Sequence, residues 1–173
     1  MSSPIIGVRP QVGAALTSPV DRAAAGRKAS RLLGWFGLAL AAIGLADAAL
    51  VFVPPLWGNA EWSFTTSAQL ISGLPILAVA LGAMTVAALG GGAAARRVVG
   101  GLNVLLVLAI VATMLLFVPA AGEALELGAE VAQPGIRKMI FRVGLFAVVF
   151  GLLHGALALR CFRAGQLPTD AAR

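Results

Sequence analysis

Three ionisable side chains lie inside long apolar segments of the chain, where a charge is costly and therefore points to a function. Asp47 and Arg142 carry opposite charges at broadly similar depths in two of these segments. We predict that they form a structural ion pair joining two helices. A proton or ion relay and a contact with another subunit are the alternatives, and a relay normally needs several such groups along a path.

His154 is the third of these side chains and the only histidine. A neutral imidazole can bind haem iron or the magnesium of a chlorin, but a bis-histidine haem within this chain is excluded because there is no second histidine. An axial bond to a bacteriochlorophyll stays open, with room for its ring at Gly151 and Gly155. The alternative for His154, and our expectation for Asn103, is a hydrogen bond to a neighbouring helix.

The composition excludes most classes of soluble protein. Of the 173 residues, 60% are hydrophobic and 12% are charged, whereas soluble domains contain roughly 25% charged residues. The single cysteine, Cys161, excludes a disulfide framework and a cysteine-rich metal site within the chain. Gly90-Gly91-Gly92 lacks the Lys-Ser/Thr of a phosphate loop, and the motifs of zinc proteases and serine hydrolases are missing. We therefore expect an integral membrane protein that is not an enzyme and holds no metal.

Four apolar stretches are each long enough to cross a bilayer, whose hydrocarbon core of about 30 Å needs around 20 helical residues. The predicted spans cover residues 32–53, 69–89, 98–118 and 139–159. None shows the alternation of an outer-membrane strand. The predicted fold class is all-α: a four-helix transmembrane bundle over residues 31–163, preceded by a basic tail at 1–30 and followed by a short tail at 164–173.

The positive charges predict the orientation, because Lys and Arg accumulate in cytoplasmic flanks. Ten of the thirteen fall on one side of the predicted spans, and four glutamates fall on the other. Both termini are therefore predicted to be cytoplasmic, in the inner membrane of a bacterium. The ten are Arg9, Arg22, Arg27, Lys28, Arg31, Arg96, Arg97, Arg160, Arg163 and Arg173.

The basic tail at 1–30 is rich in Pro, Ala and Gly and cannot bury much apolar surface. We expect it to lie against anionic lipid headgroups or to be held by a partner protein. Nucleic acid is not expected as a partner, because no aromatic residues alternate with the basic ones.

Aromatic residues cluster in the first outer loop. Trp57, Trp62 and Phe64 suit the headgroup region, where an aromatic ring has one apolar face and one hydrated edge. We predict that they are interface anchors. The alternative is a loop that docks a partner or contacts a pigment.

The second outer loop covers residues 119–138. Glu123, Glu126 and Glu130 share one helical face, which predicts a short interfacial helix with an acidic face in water. A cation-binding carboxylate cluster is the alternative. Pro134-Gly135 is expected to break the helix before the fourth span.

Small residues in the first and fourth spans predict close helix packing, within the bundle or in an oligomer. Gly151-x-x-x-Gly155 is the close-approach motif. The other glycines of these two spans are Gly34, Gly37, Gly44 and Gly144.

One stretch of about 30 residues resembles a known family. Asp47 is followed by Val53-Pro54, Gly58-Asn59-Ala60-Glu61-Trp62, Gln69-Leu70 and Leu74-Pro75-Ile76-Leu77. This pattern is similar to the HpsJ-like membrane proteins of bacteria, although Ala60 replaces the proline of their Asn-Pro-x-Trp loop. The resemblance implies an accessory role near polysaccharide production or envelope assembly, and it supplies no catalytic residues.

The leading functional prediction is a non-catalytic accessory subunit of a larger bacterial membrane complex, photosynthetic or respiratory. Its partners would be other membrane-protein subunits and anionic lipids. A bound lipid, or a bacteriochlorophyll at His154, is the cofactor that the sequence leaves open. The alternatives are an envelope or polysaccharide assembly factor and a small transporter acting through Asp47 and Arg142.

Overall fold

The computed structural model describes residues 19–53, 55–56 and 58–164, and they form four helices. These are α1 (Pro19–Val51), α2 (Ala60–Leu89), α3 (Ala93–Leu127) and α4 (Gln133–Ala164). Each is long and apolar enough to cross a membrane. The all-helical class and the four candidate spans are thus confirmed.

The helices are longer than the predicted spans. They contain 30 to 35 residues, or about 45–53 Å at 1.5 Å per residue, against a hydrocarbon core of about 30 Å. α1 begins at Pro19, so residues 19–30, predicted as a tail, form its first turns. Proline suits a first helical position because the N–H that it lacks has no intrahelical partner there. The rest of that predicted tail and residues 165–173 lie outside the described residues.

The connection between α3 and α4 differs from the predicted loop with its own short helix. α3 continues through Pro119 to Leu127, so Glu123 and Glu126 lie in its last turns. Gly128 ends it, with its N–H donating to the Ala124 carbonyl. The expected break at Pro134 is instead the first turn of α4, where proline costs no hydrogen bond.

A turn and a side-chain cap begin α2. Gly58 has a φ of 86°, a left-handed conformation that glycine adopts without strain. Asn59 is the N-cap, and its side-chain oxygen accepts a hydrogen bond from the Trp62 N–H at 2.9 Å. Because the cap satisfies one of the free N–H groups of the first turn, it fixes where α2 starts.

The bundle is built around α2. This helix packs on each of the other three, and α3 also packs on α4, whereas among the described residues α1 contacts α2 alone. Side chains from α2, α3 and α4 form the core: Ala68, Ile71, Leu74, Ile110, Phe117, Ala121, Val143 and Ala147. α1 therefore lies at the periphery of a three-helix core.

α1 is held against α2 by its glycines. Among the α1 residues whose burial is described, Gly37 and Gly44 are the buried ones. A Cβ at Gly37 would lie 2.7 Å from the Ala80 carbonyl oxygen, and one at Gly44 would lie 2.7 Å from the Leu77 side chain. The predicted close packing is present in α1, because backbones can approach this closely only where no side chain intervenes.

Candidate functional site

A buried polar cluster joins α2, α3 and α4. Thr85, Asn103 and His154 are at most 1% exposed. His154 Nδ1 lies 2.6 Å from Asn103 Oδ1, and Asn103 Nδ2 lies 3.2 Å from Thr85 Oγ1. The predicted interhelical hydrogen bonds of His154 and Asn103 are therefore present, and the two side chains bond to each other.

The network assigns the proton of the imidazole. Thr85 Oγ1 donates to the Leu81 carbonyl at 2.7 Å, so it accepts from Asn103. The Asn103 amide nitrogen uses its second hydrogen on the Val99 carbonyl at 2.8 Å. Asn103 Oδ1 must then accept from His154 Nδ1–H, and in a neutral imidazole this leaves the lone pair on Nε2.

His154 Nε2 is buried and has no hydrogen-bond partner among the described residues. A Cβ at Gly151 or Gly155 would meet nothing within 4 Å, so the surface of α4 is open at these two glycines. The His154 ring itself is 0% exposed, and an axial bond from Nε2 to a chlorin would require the helices to separate there. That ligand role stays a prediction.

The structure does not bring Asp47 and Arg142 together. Asp47 is on α1 and Arg142 on α4, and these helices do not pack on each other. Arg142 lies over the ring of Phe146, with its guanidinium carbon 5.3 Å from the ring centroid. Asp47 is exposed and lies beside α2. If Gly73 of α2 carried a Cβ, that atom would be 3.9 Å from Asp47 Oδ2. An ion pair within the chain would need α1 next to α4, and α2 separates them.

The three predicted aromatic anchors have different surroundings. Trp62 meets Phe52 edge to face, with ring centroids 6.3 Å apart. Phe64 stacks on Phe117 at 5.4 Å, and Phe117 is 1% exposed, so Phe64 packs against the core. Trp57 lies outside the described residues.

Sequence reasoning did not find Thr85 or Arg96 as members of polar contacts between helices. The hydroxyl of a threonine in an apolar helix usually donates to a backbone carbonyl one turn earlier in the same helix, as that of Thr113 does here. The sequence around Thr85 therefore does not indicate that this residue bonds to another helix. Arg96 Nη1 donates to the Ala164 carbonyl at 2.8 Å. A cation at a helix C-terminus is favourable, so this contact ties the start of α3 to the end of α4.

No protein-family model, curated protein or solved structure matches the chain. The resemblance to the HpsJ-like proteins accordingly stays a prediction. What the chain does must be inferred from its own geometry.

Proposed function

We propose that this chain is a non-catalytic accessory subunit of a larger bacterial membrane complex, photosynthetic or respiratory. The observation that carries the proposal is Asp47. It is an ionisable side chain in a candidate span, it is exposed, and its helix packs on α2 alone. Asp47 lies near the end of α1, and because a carboxylate that faces hydrocarbon is costly, a donor or cation from a partner would stabilise it there.

Arg142 supports the same conclusion from another helix. It too is exposed within a candidate span, and its interaction is with the ring of Phe146 on its own helix. The sequence analysis gave a contact with another subunit as an alternative to the ion pair. That alternative suits both Asp47 and Arg142. Two outward-facing charges on separate helices are expected where a subunit has neighbours on two sides.

The glycines of α4 offer a surface for such a neighbour. Gly144, Gly151 and Gly155 share one face, and a Cβ at any of them would meet nothing within 4 Å. In α1 the equivalent residues are used inside the chain, against Ala80 and Leu77. The close-approach motif of α4 is thus available to a helix of another subunit.

In the proposed orientation both termini are cytoplasmic and the membrane is the bacterial inner membrane. Ser30, in the first half of α1, bonds to the end of α2, and Arg96, in the first turn of α3, bonds to the end of α4. Since only residues 90–92 separate α2 from α3, these parts of the four helices form one end of the bundle. We call it the basic end. Its basic residues are Arg27, Lys28, Arg31, Arg96, Arg97, Arg160 and Arg163, and the positive-inside tendency places them in the cytoplasm.

The test is co-migration after mild detergent extraction of native membranes, on a native gel with absorption spectra and mass spectrometry of each band. Wild type is expected in a large band with fixed partners. Asp47→Asn and Arg142→Gln should each shift a substantial part of the chain to a smaller band. Glu61→Gln and Lys138→Gln are the matched controls and should leave the large band unchanged.

Other results would replace the proposal. Wild type at monomer or dimer mass, without partners, contradicts an accessory subunit. Substoichiometric association with envelope enzymes would favour the assembly-factor alternative. Substrate flux in liposomes that Asp47→Asn abolishes would favour the transporter.

A further inference from the structure

α1 and α3 both pack on α2 but not on each other, which leaves a groove between them. At the basic end this groove has a volume of about 420 Å³. Its apolar lining includes Trp35 and Leu38 from α1, Met84 and Ala87 from α2, and Ala95 and Val99 from α3. Its size and apolar walls suit a hydrocarbon chain.

One cation lines this groove, and two more lie beside it. Arg31 lines the groove itself, and it also lines an adjoining depression of about 230 Å³ with Arg27 and Lys28. Arg31 is four residues after Arg27 and three after Lys28, so it lies on the same side of α1 as both of them. All three are exposed, so their charges are available to a ligand.

The depth of these groups matches a phospholipid. Leu32, directly after Arg31, begins the long apolar stretch of α1, so the cations lie where headgroups meet hydrocarbon. Trp35, one turn further in, is 71% exposed, and tryptophan prefers this boundary. Ser30 does not compete for the headgroup, since its hydroxyl donates to the Ala87 carbonyl at 3.0 Å and fixes the groove wall.

We propose that this groove binds one anionic phospholipid, with an acyl chain between α1 and α3 and the phosphate among Arg27, Lys28 and Arg31. Charge complementarity selects the lipid over a transmembrane helix of a partner, which would have to bring its own anion to this position. Free phosphate has no hydrocarbon chain to bind in the apolar part of the groove. The proposal concerns the isolated chain and does not depend on the complex.

The experiment uses the purified full chain in nanodiscs and in detergent. Native mass spectrometry counts lipids retained from mixtures of phosphatidylglycerol and phosphatidylcholine with identical acyl chains. Wild type should retain one phosphatidylglycerol in preference to phosphatidylcholine. Each of Arg27→Gln, Lys28→Gln and Arg31→Gln should weaken that retention about fivefold, because each basic residue near an anionic headgroup contributes a similar increment.

Two matched controls separate this site from general attraction. Arg137→Gln with Lys138→Gln removes charges at the other end and should leave retention unchanged. Ala95→Phe fills the groove and should reduce retention of both lipids, whereas Ala156→Phe, on an exposed position of α4, should not.

Three results would overturn the proposal. The first is equal retention of the two lipids by wild type. The second is undiminished retention by the triple glutamine variant, whose changes are all at exposed positions and should not affect folding. The third is displacement of the lipid signal by inorganic phosphate alone, which would show an anion site without a use for the groove.

Discussion

The Asn103 side chain is the link on which the buried polar cluster depends. Its oxygen accepts from His154 on α4, and its nitrogen donates to Thr85 on α2 and to Val99 on its own helix. All of its hydrogen-bonding groups are therefore used. In an apolar bundle such a residue selects which faces of three helices meet, because other pairings leave polar groups without partners.

Asn103→Leu is expected to destabilise the fold by about 1–3 kcal/mol, since it leaves the His154 Nδ1–H buried without an acceptor. His154→Phe should cost a similar amount, and the double variant should cost less than the sum. Unfolding by SDS titration measures this. Thr113→Val removes a hydroxyl that bonds only within its own helix and is the control. Strict additivity would show that the two side chains are not coupled.

The tautomer of His154 gives a second residue-scale prediction. Nitrogen NMR of histidine-labelled protein yields one pair of ring signals, from Nδ1 and Nε2, because the chain has one histidine. We expect a neutral ring protonated at Nδ1, with Asn103→Leu altering the Nδ1 signal. A proton on Nε2 would contradict the hydrogen-bond assignment.

At the scale of elements, the same residue type has opposite roles in α1 and α4. A Cβ at Gly37 would lie 2.7 Å from the Ala80 backbone oxygen, which cannot easily move. At Gly151 nothing lies within 4 Å. Glycine is thus required for packing inside the chain in α1, and it leaves an open surface in α4.

Gly37→Ala should destabilise α1 packing by about 1–3 kcal/mol, the usual cost of overpacking. Gly151→Ala should be neutral or stabilise by up to about 1 kcal/mol, because alanine is the better helix former. SDS titration of both purified variants makes the comparison. Equal effects would mean that the α1–α2 contact is not as close as described.

Gly44→Ala should have an effect on stability between those of Gly37→Ala and Gly151→Ala. Its nearest neighbour is the end of the Leu77 side chain at 2.7 Å, which can rotate away. We expect a smaller loss of stability than for Gly37→Ala in the same titration. A larger loss would show that Leu77 is held rigidly.

At the scale of the whole molecule, charge divides the bundle between its ends. Arg27, Lys28 and Arg31 lie at the basic end, with further arginines from α3 and α4, whereas Glu61 and Glu130 lie at the other. An even number of crossings returns the chain to the side on which it started. Both termini therefore lie on the same side of the membrane, and the basic end is expected to determine that this side is the cytoplasm.

Cysteine labelling in intact cells tests that orientation in a Cys161→Ser background. Glu130→Cys should react with a membrane-impermeant maleimide from outside. Ala94→Cys should react only after the cells are opened. Both positions are exposed, so accessibility within the protein is matched, and the reverse pattern would place the basic end outside.

The sequence by itself determined the all-helical class of the protein and its four candidate membrane-spanning helices. Backbone groups in hydrocarbon must be bonded within their own segment, so a long apolar run has to be a helix. Hydropathy did not locate the helix ends, because the turns that extend beyond the bilayer are polar, as at residues 19–30. The Pro134 start was missed since proline in a first turn and proline as a breaker have the same local sequence.

Only the tertiary structure decided which helices are neighbours. Opposite charge and similar depth favoured Asp47 with Arg142, but α2 lies between α1 and α4. Asn103 and His154 were each expected to bond to a neighbouring helix, yet nothing in the sequence showed that they bond to each other. Lipid-facing and buried surfaces are equally apolar in a membrane bundle, so hydropathy does not mark the face that packs, and close backbone contact and hydrogen bonds select it instead.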